Sequence, residues 1–216
     1  MGRFLVLAIS VLGADIRLFA QDTVEERQQI IANGETDARA DFQKHVFRIE
    51  KYGLRLVLEG VESDPYEKYL QEYGVEFKTI GGGCDPNSPE ALHAQGYNKV
   101  MEKLIIAKYQ RDIFQEARDY LQIYLQGVSG AKKDFADGIY KEESYGMGSE
   151  WSTERSKYLQ EKYQVVCKGV AGCVVTPKIL GHAQGYNATM QKLLREKYGK
   201  DIFKEADDFA RQQTGR

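Results

Sequence analysis

No run of basic residues breaks the charge pattern of this chain. Its 30 lysines and arginines are interspersed among 32 acidic residues, for a formal charge of −2. Nucleic-acid binding normally demands a basic face, so it is not expected here. No apolar run approaches the roughly 20 residues a helix needs to cross a bilayer, so no transmembrane segment is expected in the mature chain. The signature loops are missing too: there is no Walker loop, no Gly-x-Gly-x-x-Gly, no His-Glu-x-x-His and no Gly-x-Ser-x-Gly. Gly81-Gly82-Gly83 follows a predicted strand in the manner of a phosphate-binding turn, but Ala171 and Val174 break that pattern where the sequence repeats. Nor do the acidic residues form a matched inward pair of the kind glycoside hydrolysis uses.

The N-terminus has the composition of an export signal. Met1-Gly2-Arg3 gives a positive start, Phe4 to Leu12 an apolar run, and Leu18-Phe19-Ala20 before Gln21 a cleavage site. Asp15, Arg17 and the bulk of Leu18 fit less well, and a buried N-terminal strand is the other reading. The expectation is a signal peptide over 1–20, a helical extension over 21–32, and a periplasmic or secreted protein. No cysteine follows the apolar run, so no lipid anchor is expected there.

The most informative positive feature is repetition. His93-Ala94-Gln95-Gly96-Tyr97-Asn98 returns as His182-Ala183-Gln184-Gly185-Tyr186-Asn187. The match extends forward through Met101/Met190 and Asp112-Ile113-Phe114/Asp201-Ile202-Phe203. It extends back through Cys84/Cys173 and Tyr52-Gly53/Tyr145-Gly146 to Asp41-Phe42/Asp134-Phe135. The pattern reads as a tandem duplication, with copies over 33–126 and 127–216.

Each copy is predicted as an α-β-α-β-α-α unit of an α/β fold, with α+β as the alternative arrangement. The first helices are expected at Glu35 to Lys44 and Ala131 to Asp137, the first strands at Val46 to Tyr52 and Ile139 to Tyr145. Val75 to Ile80 alternates as a strand, with Val75 and Phe77 inward and Lys78 outward; its counterpart is Val165 to Val170. Ser88-Pro89 and Thr176-Pro177 place a hydroxyl at the N-cap and proline at the first helical position of the long helices. Gly199 suits a C-terminal cap. Two strands alone are marginal, so the copies are expected to join about a pseudo-twofold axis in one four-stranded sheet covered by helices; two separate domains are the alternative, though no Pro/Ser-rich linker divides the copies. Such a chain is a pseudo-dimeric monomer.

The candidate site residues come from the matched block. His93, Tyr97 and Asn98, with His182, Tyr186 and Asn187, are expected to line a polar pocket or to satisfy backbone groups at the end of the sheet. Gly96 and Gly185 cost their helices about 0.5–1 kcal/mol each relative to alanine. They therefore imply a close neighbour: a packed backbone or ring, or a ligand. Cys84 and Cys173 leave several readings open, namely a disulfide between them, two unpaired buried thiols, a reactive thiol, or a Cys₂His₂ zinc site with His93 and His182. Cys167 stands where the first copy has Phe77 and reads as a free core residue. Apart from that zinc alternative no cofactor is expected and no catalytic residue is assigned. The sequence favours a non-catalytic exported module for binding, assembly or envelope structure, with a zinc or thiol enzyme as the alternative.

Overall fold

The structure, a computed structural model, describes residues 7–53, 64–83, 85–146, 150–172 and 174–215. Helices alternate with short strands in the order α1 (Leu7–Gln43), β1 (Arg48–Tyr52), α2 (Pro65–Gln71), β2 (Glu76–Gly81), α3 (Pro89–Tyr109), α4 (Ile113–Ala136), β3 (Tyr140–Tyr145), α5 (Glu150–Tyr163), β4 (Val165–Ala171), α6 (Pro177–Tyr198) and α7 (Ile202–Thr214). No described helix is long and apolar enough to cross a membrane.

The local signals work as the sequence implies. Ser88 accepts a hydrogen bond from the Ala91 N–H at 3.2 Å and Thr176 from the Ile179 N–H at 3.3 Å, so α3 and α6 start on matched hydroxyl-proline pairs. Gly199 closes α6 at a φ of 68°, its N–H donating to the Arg195 carbonyl. Asp201 caps α7 through the Lys204 N–H at 3.0 Å. Gly53 and Gly146, at φ values of 98° and 90°, end β1 and β3, as the paired Tyr-Gly steps suggest.

Two helices are longer than expected: α1 runs unbroken over Leu7–Gln43 where a signal peptide, a helical extension over 21–32 and a helix from Glu35 were expected as separate segments, and α4 bridges the expected boundary between repeats. The closing helix of the first copy and the opening helix of the second are a single helix, α4, with Gly127 inside it. Nothing between Gln126 and Val128 stops a helix, so no loop stands at the expected boundary between repeats.

Both strand pairs are parallel, β1 with β2 and β3 with β4. Glu50 lies opposite Lys78, and Glu143 opposite Lys168. Among the described residues the strands form two two-stranded sheets in place of the expected four-stranded one. The free edges of β1 and β3 are already occupied by side chains, as described below. That occupancy removes the groups a shared sheet would have paired.

The chain divides into two compact units, Met1–Leu56 with Leu70–Phe114, and Val57–Tyr69 with Gln115–Arg216. Each has its own core. In the first, Ala38, Leu70, Val75, Tyr97, Met101, Ile105, Ile113 and Phe114 are at most 1% exposed. In the second, Leu159, Val165, Tyr186, Met190, Leu194, Ile202 and Phe203 form one buried cluster, with the half-buried Cys167 packed against it. Cys167 is free, as its place on the inward face implies. Glu205 anchors α7 to α5, accepting from the hydroxyls of Tyr158 at 2.6 Å and Tyr163 at 2.8 Å. Hydrogen bonds from Lys162, then Lys200, hold its carboxyl well below the usual range.

Candidate functional site

The matched hexapeptide sits on α3 in the first unit and on α6 in the second, and each of its distinctive residues has an internal task. Gly96 faces the Ile31 backbone of α1, where an added Cβ would collide with the Ile31 carbonyl. Gly34 of α1 is the reciprocal partner: a Cβ there would strike the His93 carbonyl and come within 2.9 Å of the Tyr97 nitrogen. Gly185 and Gly127 repeat the arrangement between α6 and α4. Cβ atoms there would meet the Tyr124 carbonyl in one direction, and the His182 carbonyl and Tyr186 nitrogen in the other. In each unit two helices therefore cross backbone against backbone, with no room for a side chain at the crossing. The close neighbour implied by Gly96 and Gly185 is a helix.

Asn98 does the work of a missing strand. Its Oδ1 accepts from the Glu50 N–H at 2.8 Å and its Nδ2 donates to the Glu50 carbonyl at 2.8 Å. Asn187 makes the same pair with Glu143, at 2.8 and 2.7 Å. A carboxamide has the donor and acceptor of a peptide unit side by side, so it satisfies the outward-facing residue of an edge strand. An edge left open would template pairing with another chain.

Tyr97 and His93 complete the clasp. The Tyr97 hydroxyl donates to Asp41 Oδ2 at 2.8 Å, and the Tyr186 hydroxyl to Asp134 Oδ2 at 2.7 Å. Those carboxylates also pair with β1 and β3, through Arg48 at 3.4 Å and Lys141 at 2.9 Å. Burial, then the hydrogen bond to the carboxylate, pushes both phenols above their ordinary range, so they remain donors. His93 Nδ1 meets Glu50 Oε2 at 2.8 Å while Nε2 meets Asp37 Oδ2 at 3.1 Å. In the second copy His182 Nδ1 meets Glu143 Oε2 at 2.9 Å. Gly130 stands where the first copy has Asp37, so the second carboxylate of that clasp has no equivalent there.

Two ionised carboxylates on one imidazole can both accept only from the doubly protonated ring. Burial alone would lower the His93 pKa, but the hydrogen bonds and charges of Asp37 and Glu50 outweigh it and raise the value above the ordinary one. A raised folded-state pKa adds stability fully present below about pH 6.5, the free histidine value, and lost as pH climbs through the folded value. Thermal melts from pH 6 to pH 9 should therefore show the native chain losing more stability than His93→Gln does. Parallel profiles for the two would contradict this role.

The second unit holds an ion cluster that the sequence reading missed. Arg155 Nη1 and Nη2 grip both oxygens of Glu142, the latter at 2.9 Å, while Nε reaches Asp207 Oδ1 at 2.5 Å. Cys167 Sγ lies 3.5 Å from Glu142 Oε2. Burial raises the Cys167 thiol, which keeps it protonated and a poor nucleophile. The only sequence signal was Glu142 at an inward strand position where the first copy has Ile49.

The expectations for Cys84 and Cys173 fall outside the described residues, and with them the disulfide and the zinc alternative. Both ring nitrogens of His93 are engaged by carboxylates, and among the described residues no group of three or more His, Cys, Asp or Glu side chains is placed to hold a metal ion. Comparison of the chain with protein-family models, with curated proteins and with solved structures finds no match.

Proposed function

We propose that the chain is an exported, non-catalytic binding or assembly module derived from a tandem duplication, working in the periplasm or outside the cell. One observation carries this reading: the side chains most faithfully repeated are spent on internal partners. Asn98 and Asn187 seal strand edges, Tyr97 and Tyr186 tie helix to helix, and the histidines hold the edge-strand glutamates. Residues so committed are scaffold, which leaves contact with other molecules to side chains outside this clasp.

Export is compatible with the packing. Among the described side chains, the α1 residues that touch the rest of the first unit, including Ile31, Gly34, Glu35, Asp37 and Asp41, follow Ala20. Cleavage after Ala20 removes none of them. A single mature chain then does what a homodimer of single modules would do.

Two measurements test the reading. Full-length chain produced in a Gram-negative host should appear in the periplasmic fraction with Gln21 at its N-terminus by mass spectrometry. Cytosolic protein retaining Met1 would overturn export. Purified mature protein should contain no stoichiometric zinc, and zinc lost on Cys84→Ser would overturn the non-catalytic assignment in favour of a metal site.

A further inference from the structure

The second unit carries a cleft of 310 Å³ between α2, α4, β3 and α6. Tyr120 and Tyr124 of α4 wall it, Tyr145 stands at its mouth with 42% of its surface exposed, and Gln184, Ala188 and Gln191 line the α6 side. The volume is at the lower end for small-molecule sites, about 300–1,000 Å³.

The cleft exists where the two copies diverge. Ala188 and Gln191 stand at the positions of Lys99 and Glu102, and Tyr120 and Tyr124 at those of Arg27 and Ile31. In the first copy Lys99 Nζ is tied across the helix pair to Glu35 Oε1 at 3.0 Å. Replacing a long, paired cation by alanine takes away the side chain that would cover this surface. Aromatic rings replace charge and aliphatic bulk on the facing helix.

The polar atoms in the cleft are biased toward donation. The Tyr120 hydroxyl donates to Gln184 Oε1, which leaves the Gln184 NH₂ as the group that side chain can offer. The Asn187 amide is consumed by the Glu143 backbone. Lys68 of α2 is exposed and supplies the charge of the lining. A site of tyrosine faces, amide donors and one ammonium suits a ligand with a flat C–H surface, several acceptor oxygens and one negative charge.

We propose that this cleft binds a sugar ring bearing a carboxylate. The exposed Tyr145 ring packs on the C–H face of the sugar, the Gln184 and Gln191 amides meet ring and hydroxyl oxygens, and Lys68 meets the carboxylate. This assignment rests on reading the chain as a binding module and names the ligand class that module takes.

Calorimetric titration of the full chain with trigalacturonate tests it, with galactotriose and malonate as the two controls. Trigalacturonate should bind saturably. Galactotriose should bind about fivefold more weakly, since an exposed ion pair contributes up to about 1 kcal/mol, and malonate should not saturate. Tyr145→Ala and Ala188→Glu should each weaken trigalacturonate about tenfold or more. Both positions are solvent-exposed, so the urea midpoint should not move. No saturable binding, affinity indifferent to both substitutions, or equal binding of either control would overturn the ligand assignment. None of those results touches the scaffold reading. Release of new reducing ends from trigalacturonate would overturn the non-catalytic reading instead.

Discussion

Gly96→Ala and Gly185→Ala should each destabilise the chain by about 3 kcal/mol or more, although alanine is the better helix former. Taken alone, propensity gives the opposite sign, a gain of about 0.5–1 kcal/mol. The contact decides the outcome because the added methyl meets backbone: the Ile31 carbonyl in one unit and the Tyr124 carbonyl in the other. A side chain can change rotamer to admit a methyl, whereas a helix carbonyl moves only with its helix. Overpacking a core that can adjust costs about 1–3 kcal/mol, and this site cannot adjust. Gly34→Ala and Gly127→Ala should behave alike, since the same crossings place them against the His93 and His182 carbonyls. Urea unfolding followed by circular dichroism reads the sign directly. An increase in stability for Gly96→Ala would mean the helices are not in contact there.

Asn98→Ala and Asn187→Ala should cost about 2–3 kcal/mol each, the combined loss of two backbone-directed hydrogen bonds near a largely buried strand. Glu50 is only 7% exposed, so water poorly replaces what the amide supplied. Asn98→Asp separates the two bonds. It retains an acceptor for the Glu50 N–H but sets a carboxylate against the Glu50 carbonyl, so it should be no better than alanine. Both Asn98 variants should also associate at high concentration, because the β1 edge is then open to another strand. Denaturation midpoints and light scattering check the two parts. A fully stable, monomeric Asn98→Ala protein would remove the strand-sealing role.

The elements were legible in the sequence because their signals are local. The Ser88-Pro89 and Thr176-Pro177 starts, the Gly199 stop and the alternation after Val75 each depend on a few neighbouring residues. The close approach at Gly96 and Gly185 was legible as well, since a glycine kept twice inside a helix asks for a neighbour. Its identity was not, because Gly34 and Gly127 belong to helices distant in sequence. The single sheet failed for a physical reason. Two bare strands cannot stand alone, but Asn98 and Asn187 supply at each free edge what a further strand would have supplied. Glu50 and Glu143 receive both the asparagine and the histidine, yet in the sequence they look like any other acidic residue. Their matched placement was the available signal. Repeated residues mark only part of the cleft, Tyr145, Gln184 and Asn187; the rest is hidden because it lies where Ala188 and Tyr120 depart from Lys99 and Arg27.

Amide hydrogen exchange at Glu50 and Glu143 is the most direct test of the clasp on which this account turns. In the native chain both amides should exchange only through opening of the whole unit, as slowly as the interior of the long helices. Asn98→Ala should release Glu50 while leaving Glu143 protected. Exchange of Glu50 in the native protein at the rate of an open loop would contradict the account.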